Sequence, residues 1–135
     1  MAEKSCQFSF SQHVHTASTA ERVLAEGSIQ EILLLGSDLL VELVDLYLDD
    51  ASERVRITVE SFTAGDSAGV ERAAHALKSS SANMGALPFS GVCCELERLG
   101  NQENLASMEP WIERLDSMHL EVTLALTALR AVYLN

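Results

Sequence analysis

The chain is short of lysine, proline and aromatic residues, and it contains no long apolar run. Only two of its 135 residues are lysine, the first proline comes at position 88, and aromatic residues make up 5%. No uninterrupted apolar run exceeds four residues, whereas a membrane-spanning helix needs roughly 20. We therefore expect no membrane insertion. The amino-terminal residues also lack a basic segment that leads into an apolar one, as in a secretory signal, and we expect a cytoplasmic location.

Basic charge is scarce as well. Nine Lys and Arg residues stand against 20 Asp and Glu residues, which gives a net charge of −11. Without a basic run, neither nucleic acid nor an anionic membrane surface is an expected partner. Of the three cysteines, Cys93 and Cys94 are adjacent, and no second Cys/His pair stands at the spacing of zinc ligands. We therefore expect no metal site.

Helical periodicity, by contrast, extends over most of the chain. Apolar residues recur at spacings of three and four, and the alternation typical of strands is nearly absent. A chain of this length suits one domain with one core. We predict an all-α domain over residues 16–135, built as an antiparallel four-helix bundle with a short additional N-terminal helix. Residues 1–15 lack periodicity and are predicted to be a flexible arm.

Glycine, proline and capping residues set the predicted helix limits. The last helix is expected to bury Trp111 and to continue its apolar stripe to Val132. The predicted helices run from Thr16 to Glu26 with a stop at Gly27, from Ser28 to Leu35, from Ser37 or Asp38 to Gly65, from Asp66 or Ser67 to about Asn83, from the Gly85–Pro88 corner to Leu99, and from Ser107 or Pro110 onward.

One predicted helix carries a histidine and a lysine one turn apart. His75 and Lys78 are three residues apart, a spacing that makes them neighbours on a helix surface. If the apolar stripe of this helix is centred at zero, His75 falls about 140° away and Lys78 about 80° away. The imidazole is therefore predicted to face solvent.

Small residues continue the line of His75 along the helix. Ser79 and Ala82 stand where a solvent-facing helix normally carries long charged residues, and Gly85 and Ala86 would extend the line. A cleared surface of this kind is typical of a docking site. We predict that these four residues contact a partner, together with Glu71, one turn before the histidine.

The residue types suit phosphoryl transfer. A neutral imidazole nitrogen can attack an aspartyl phosphate and hold the phosphoryl group as a phosphoramidate. Lys78 would neutralise charge on the phosphoryl oxygens. The other ring nitrogen must keep its proton and be held by an acceptor. Glu97, on the helix that returns after Gly85, is the predicted acceptor. Glu95 is the alternative, although it would point to another side.

These residues resemble the histidine phosphotransfer (HPt) domain of bacterial multistep phosphorelays. The likeness covers about residues 28–135 and rests on four segments. They are Ala74-His75-Ala76-Leu77-Lys78, the run Ser80-Ser81-Ala82-Asn83 with Gly85-Ala86, Cys94-Glu95-Leu96-Glu97, and the acidic segment Leu43-Val44-Asp45-Leu46-Tyr47-Leu48-Asp49-Asp50-Ala51. The resemblance implies a phosphoacceptor at His75, a phosphate-side cation at Lys78 and an imidazole-binding residue at Glu97. The chain departs from the family at Ser79, where glycine is usual.

The resulting hypothesis is a phosphorelay intermediate. It would accept a phosphoryl group from a receiver-domain aspartate onto His75 and pass it to another receiver-domain aspartate. Its partners would be receiver domains of response regulators or of a hybrid sensor histidine kinase. We expect a monomer without a cofactor, with magnesium belonging to the receiver.

Two other function classes compete with this hypothesis. A degenerate bundle would only bind a partner and carry no phosphate. An autophosphorylating kinase would normally have an acidic residue directly after the histidine, where this chain has Ala76, and would need a nucleotide-binding segment that is not evident. We therefore expect a phosphocarrier without autokinase activity. His13, His15 and His119 are interpreted as ordinary surface residues.

Overall fold

The computed structural model describes residues 23–134 and contains five α-helices and no strand in that range. A short 3-10 turn, Leu105–Ser107, precedes the last helix and was not predicted. The helices are α1 (Glu26–Leu35), α2 (Ser37–Thr63), α3 (Ser67–Asn83), α4 (Leu87–Asn101) and α5 (Glu109–Tyr133).

Helices α2 to α5 form a closed ring in which each helix packs against its neighbours in sequence. α2 packs on α3, α3 on α4 and α4 on α5, and α5 returns to α2, while α1 packs against α2. Short connections between successive helices give the antiparallel arrangement of a four-helix bundle. The predicted all-α bundle is confirmed.

The core is a single apolar cluster to which all five helices contribute. Phe89 is the largest of its fully buried side chains, and truncating a residue of this kind to alanine lowers the free energy of unfolding by about 3–5 kcal/mol. Tyr47 on α2 and Ser81 on α3 share a buried hydrogen bond of 2.7 Å between their hydroxyl oxygens. This bond pairs two hydroxyl groups that would destabilise the fold if they were buried without a partner. It also fixes the contact between α2 and α3.

Helix α3 begins as the sequence predicts. The Asp66 side chain accepts a hydrogen bond of 2.9 Å from the backbone N–H of Gly69. A carboxylate at this position satisfies a free backbone donor and lies at the positive end of the helix dipole. The cap fixes where α3 starts and therefore which residues face outward along it.

The predicted break at Gly27 is wrong. Gly27 lies in the first turn of α1, which begins at Glu26. The chain bends earlier, at Leu24, and the backbone N–H of Ala25 donates to the carbonyl of Gly85 at 2.7 Å. Most of the predicted helix 16–26, and all of the predicted arm 1–15, lies outside the described residues.

Two glycines permit close approaches, Gly85 to the start of α1 and Gly100 to the backbone of α3. Gly85, in the turn between them, has φ +79°, and a Cβ there would lie 2.9 Å from the Ser28 Cβ. Gly100 is more constrained, because its Cβ would lie 2.8 Å from the carbonyl of Ser67 and 2.9 Å from the backbone nitrogen of Glu71. α4 can therefore approach the backbone of α3 near His75.

The last helix departs from its predicted core face at two positions. Val132 is 71% exposed, so the apolar stripe of α5 ends before it. Trp111 is half-buried, and the Arg114 guanidinium lies 4.7 Å from its ring centroid. Over residues 23–134, none of the helices combines the length and apolar character that crossing a bilayer requires.

Candidate phosphotransfer site

His75 lies on the outer side of α3 and contacts a carboxylate of α4. Its side chain is 62% exposed, as predicted, and its Nδ1 lies 2.6 Å from Glu97 Oε2. An ionised carboxylate can only accept a hydrogen bond, so in the neutral imidazole Nδ1 carries the proton and Nε2 keeps its lone pair. The neighbouring Glu95 pairs with Arg98 on its own helix. The structure therefore brings Glu97 to the imidazole and not Glu95.

Lys78 joins the same carboxylate. Its Nζ lies 2.6 Å from Glu97 Oε1, so the two oxygens of Glu97 each hold one donor. Burial raises the pKa of the Glu97 carboxyl, but the hydrogen bonds from Lys78 and His75 outweigh that effect and lower the pKa overall. Glu97 is therefore ionised near neutral pH and bridges the histidine and the lysine.

Two further contacts between α3 and α4 support this arrangement. The Ser90 hydroxyl donates to the backbone carbonyl of Lys78 at 2.8 Å. Asn101 Nδ2 donates to Glu71 Oε2 at 2.9 Å, one helical turn before His75. We did not predict either contact. A sequence signal exists for Ser90, because a small polar residue on the buried face of a helix requires a partner.

The predicted docking residues divide into two groups. Ser79 is exposed, Ala82 is half-buried, and Glu71 is half-buried and held by Asn101. These three remain on the surface beside His75.

Gly85 and Ala86, in contrast, are buried, and Ala86 is 0% exposed. α3 ends at Asn83, so the line of small residues turns inward beneath the start of α1. The prediction that these two residues face a partner is therefore wrong for this conformation.

The structure also contains a surface groove that the sequence did not reveal, lined in part by Ser80 and Asn83, the residues that follow Ser79 and Ala82 in the chain. Its volume is about 450 Å³, and it lies among α1, α2 and the end of α3. The nearest sequence signal is Leu46, which is exposed on α2. The groove is lined by Ile32, Leu43, Leu46, Tyr47, Asp50, Ser80, Asn83 and Met84.

His119 does not behave as an ordinary surface residue, and that interpretation is wrong. Its Nδ1 is buried without a hydrogen-bond partner, and its ring centroid lies 6.0 Å from that of Phe89. Burial lowers the pKa of this imidazole, and the charge of Asp116 opposes the shift only in part. His13 and His15 lie outside the described residues.

Metal ligands are not gathered anywhere in residues 23–134. No group of three or more His, Cys, Asp or Glu side chains in this part of the chain is placed to hold a metal ion.

Comparison with known proteins agrees with this geometry. The family model described as "Hpt domain" matches residues 42–132. The crystal structure of histidine-containing phosphotransfer protein B (HptB) from Pseudomonas aeruginosa PAO1 superposes with a TM-score of 0.79 at 27% identity, covering 83% of this chain and 97% of that one. A comparison with curated proteins finds no match. Since the family model spans more than half of the sequence, the chain belongs to the Hpt domain family.

Proposed function

We propose that this protein is a phosphorelay intermediate that receives a phosphoryl group on His75 from one receiver-domain aspartate and delivers it to another. Hpt domains are phosphocarriers that interact with receiver domains of response regulators or kinases. The observation that carries the proposal is the Glu97 carboxylate, which binds His75 Nδ1 while the imidazole remains open to solvent.

The transfer step needs no proton movement at the histidine. Nε2 of His75 attacks the phosphorus of the aspartyl phosphate, the P–O bond to the aspartate breaks, and its electron pair leaves with the carboxylate. Nδ1 keeps its proton and its bond to Glu97. Delivery is the reverse, because an aspartate oxygen of the second receiver attacks phosphorus and Nε2 recovers its electron pair.

Lys78 supplies positive charge where the phosphoryl oxygens arrive. It lies one helical turn from His75, and its ammonium is bound to Glu97, the carboxylate that also binds the imidazole. A positive charge near the phosphoryl oxygens stabilises the negative charge that develops on them in the transition state. Lys78 is therefore proposed to raise the transfer rate more than the affinity for a receiver.

The docking surface is proposed to include Ser79 and Ala82 and to continue into the groove lined by α1 and α2. Small side chains beside His75 let a receiver bring its aspartate close to Nε2. The apolar lining of the adjacent groove provides area whose burial stabilises the complex. A partner seated here would cover both features at once.

The proposal also covers the cofactor, the oligomeric state, the location and the source of the phosphate. The protein needs no cofactor of its own, and magnesium belongs to the receiver. It acts as a monomer in the cytoplasm and takes phosphate from receivers without autokinase activity. The alternative of a bundle that only binds partners is favoured by no observation at the site, where His75, Lys78 and Glu97 are all assembled.

The test is to mix the protein with a receiver domain labelled on its aspartate with ³²P. We expect the label to appear on this chain as an acid-labile, base-stable phosphohistidine and to move on to a second receiver. Labelling by ATP alone would contradict the absence of autokinase activity. Binding of receivers without any labelling would support the interaction-only alternative.

A further inference from the structure

A single carboxylate, that of Glu97, binds both the His75 imidazole and the Lys78 ammonium. Glu97 Oε2 accepts from His75 Nδ1, and Glu97 Oε1 binds Lys78 Nζ, each at 2.6 Å. When the imidazole is in the neutral form that acts as the nucleophile, the one full positive charge bound to Glu97 is that of Lys78. Glu97 and Lys78 are both largely covered, at 21% and 24% exposure, and their charges attract strongly in such surroundings.

A phosphoryl group on Nε2 changes this balance of charges. It brings negative oxygens within reach of Lys78, which lies one turn from His75 on the same helix. Forming the P–N bond with Nδ1 still protonated also leaves positive charge on the ring. The ring then offers Glu97 a cation of its own at the Nδ1 contact that already exists.

We propose that phosphorylation of His75 exchanges the partners of Lys78, and that the charge of Glu97 sets how readily the phosphoryl group leaves. In the phosphorylated state Lys78 turns from Glu97 to the phosphoryl oxygens, and Glu97 holds the protonated Nδ1 of the phosphohistidine ring. This inference rests on the proposed function and assigns Glu97 a role beyond fixing the orientation of the ring.

The chemical consequence concerns the leaving group. When an acceptor oxygen attacks phosphorus, the P–N bond breaks and its electron pair returns to Nε2. If Nδ1 is protonated, the group that leaves is neutral imidazole. If Nδ1 has lost its proton, the group that leaves is the much more basic imidazolate. By stabilising the protonated ring, the Glu97 carboxylate keeps the phosphoryl group ready to transfer, at the cost of a shorter lifetime in water.

The critical variant is Glu97→Gln, which keeps a side-chain oxygen for Nδ1 but removes the charge. Both proteins are phosphorylated with the small molecule phosphoramidate, so that loading does not depend on a receiver. We expect the phosphohistidine of the variant to hydrolyse on the order of 10-fold more slowly and to pass its phosphate to a receiver more slowly by a similar factor. A tenfold change corresponds to a fall of about one unit in the pKa of Nδ1, which makes the protonated ring about tenfold rarer.

The matched control is Glu95→Gln, which removes a carboxylate two residues away that pairs with Arg98 on its own helix. Its phosphohistidine should have the wild-type lifetime. If Glu97→Gln has the wild-type lifetime, or a shorter one, the role assigned to the charge is overturned. Receiver-dependent labelling of the wild type is a separate measurement, so the proposed function can stand or fall independently.

The exchange itself can be observed by ¹⁵N NMR. In the phosphorylated wild type, Nδ1 should give the signal of a protonated ring nitrogen. The Nζ signal of Lys78, which is assigned by its loss in Lys78→Arg, should change its chemical shift when His75 is phosphorylated. In Glu97→Gln at the same pH, Nδ1 should be unprotonated. A Lys78 signal that does not move on phosphorylation of the wild type would overturn the exchange of partners.

Discussion

The two histidines of the described chain, His75 and His119, occupy opposite environments. His75 is mostly exposed, yet its Nδ1 is bound by a carboxylate that crosses from another helix. His119 is half-buried against Phe89, yet its Nδ1 has no hydrogen-bond partner. Burial therefore does not identify the proposed phosphoacceptor. What distinguishes His75 is that one nitrogen is held while the ring stays accessible, which a nucleophile requires.

The sharpest test of this comparison removes each imidazole in turn. His75→Gln should abolish phosphohistidine labelling and leave the melting temperature nearly unchanged, because the side chain is exposed. His119→Gln should label as the wild type does. Transfer of ³²P from a labelled receiver measures the labelling, and thermal unfolding followed by circular dichroism measures the stability. Labelling of the His75→Gln variant would refute the assignment of His75 as the phosphoacceptor.

The next effect concerns Lys78, the cation one turn from His75. Lys78→Ala should slow phosphoryl transfer about 10- to 100-fold, less than the roughly 100- to 1000-fold loss typical of one electrostatic donor, because the imidazole is open to solvent. The change in receiver affinity should be smaller. Rapid-quench kinetics and equilibrium binding separate the two quantities. Lys4→Ala, which alters the other lysine of the chain, serves as the control. Equal losses in rate and affinity would make Lys78 a docking residue.

A third test concerns the cleared surface beside His75. Ala82→Glu should weaken receiver binding about tenfold, equivalent to 1.4 kcal/mol, because a long charged side chain would stand where a partner approaches. The matched control is Ala128→Glu on the exposed side of α5, which should bind normally. Isothermal titration calorimetry gives both affinities. If Ala82→Glu binds as tightly as the control, the docking surface lies elsewhere.

The smallest effect is expected at His119 and appears in stability alone. Burial lowers the pKa of this imidazole in the folded state, so the unfolded chain binds more protons as pH falls below the usual value of 6.5. The wild type therefore loses stability between pH 7 and pH 5, and His119→Gln should lose less.

Urea unfolding at pH 7, 6 and 5 measures this difference. The Glu97 carboxyl, whose pKa is also lowered on folding, contributes stability above the usual carboxyl value of 4.5 and loses it at lower pH. The chosen window therefore separates the two groups. If the stability of wild type and of His119→Gln falls in parallel with pH, the His119 imidazole has the same pKa in the folded and the unfolded state, and the expected effect of its burial is contradicted.

The sequence predicted those features that depend on helical periodicity and local signals. The all-α class and the start of α3 at Asp66 are confirmed, because capping residues act over a few positions. Local signals also predicted the contact of Glu97 with His75, since the turn at Gly85 determines which residues of α4 lie alongside α3.

The departures arise where tertiary contacts decide. Gly27 does not end a helix, because the chain bends earlier, at Leu24. There the backbone N–H of Ala25 donates a long-range hydrogen bond to the carbonyl of Gly85. Ala86 continues the line of small residues in sequence but is fully buried, because α3 ends at Asn83 and the chain turns at Gly85, which helical projection cannot foresee. The cover over His119 likewise depends on how α5 packs on α4. The division into an arm and a domain remains a prediction.

The pairing of neighbouring helices also has a kinetic consequence. His75 and Glu97 are 22 residues apart, whereas the ion pair of Asp45 with Arg130, which joins α2 to α5, spans 85 residues. Closing the longer loop costs roughly 1 kcal/mol more in chain entropy, so we expect the α3–α4 hairpin to form before the ring of helices closes. In stopped-flow experiments, truncating buried Leu96 on α4 should therefore mainly slow folding. Truncating buried Leu126 on α5 should mainly speed unfolding.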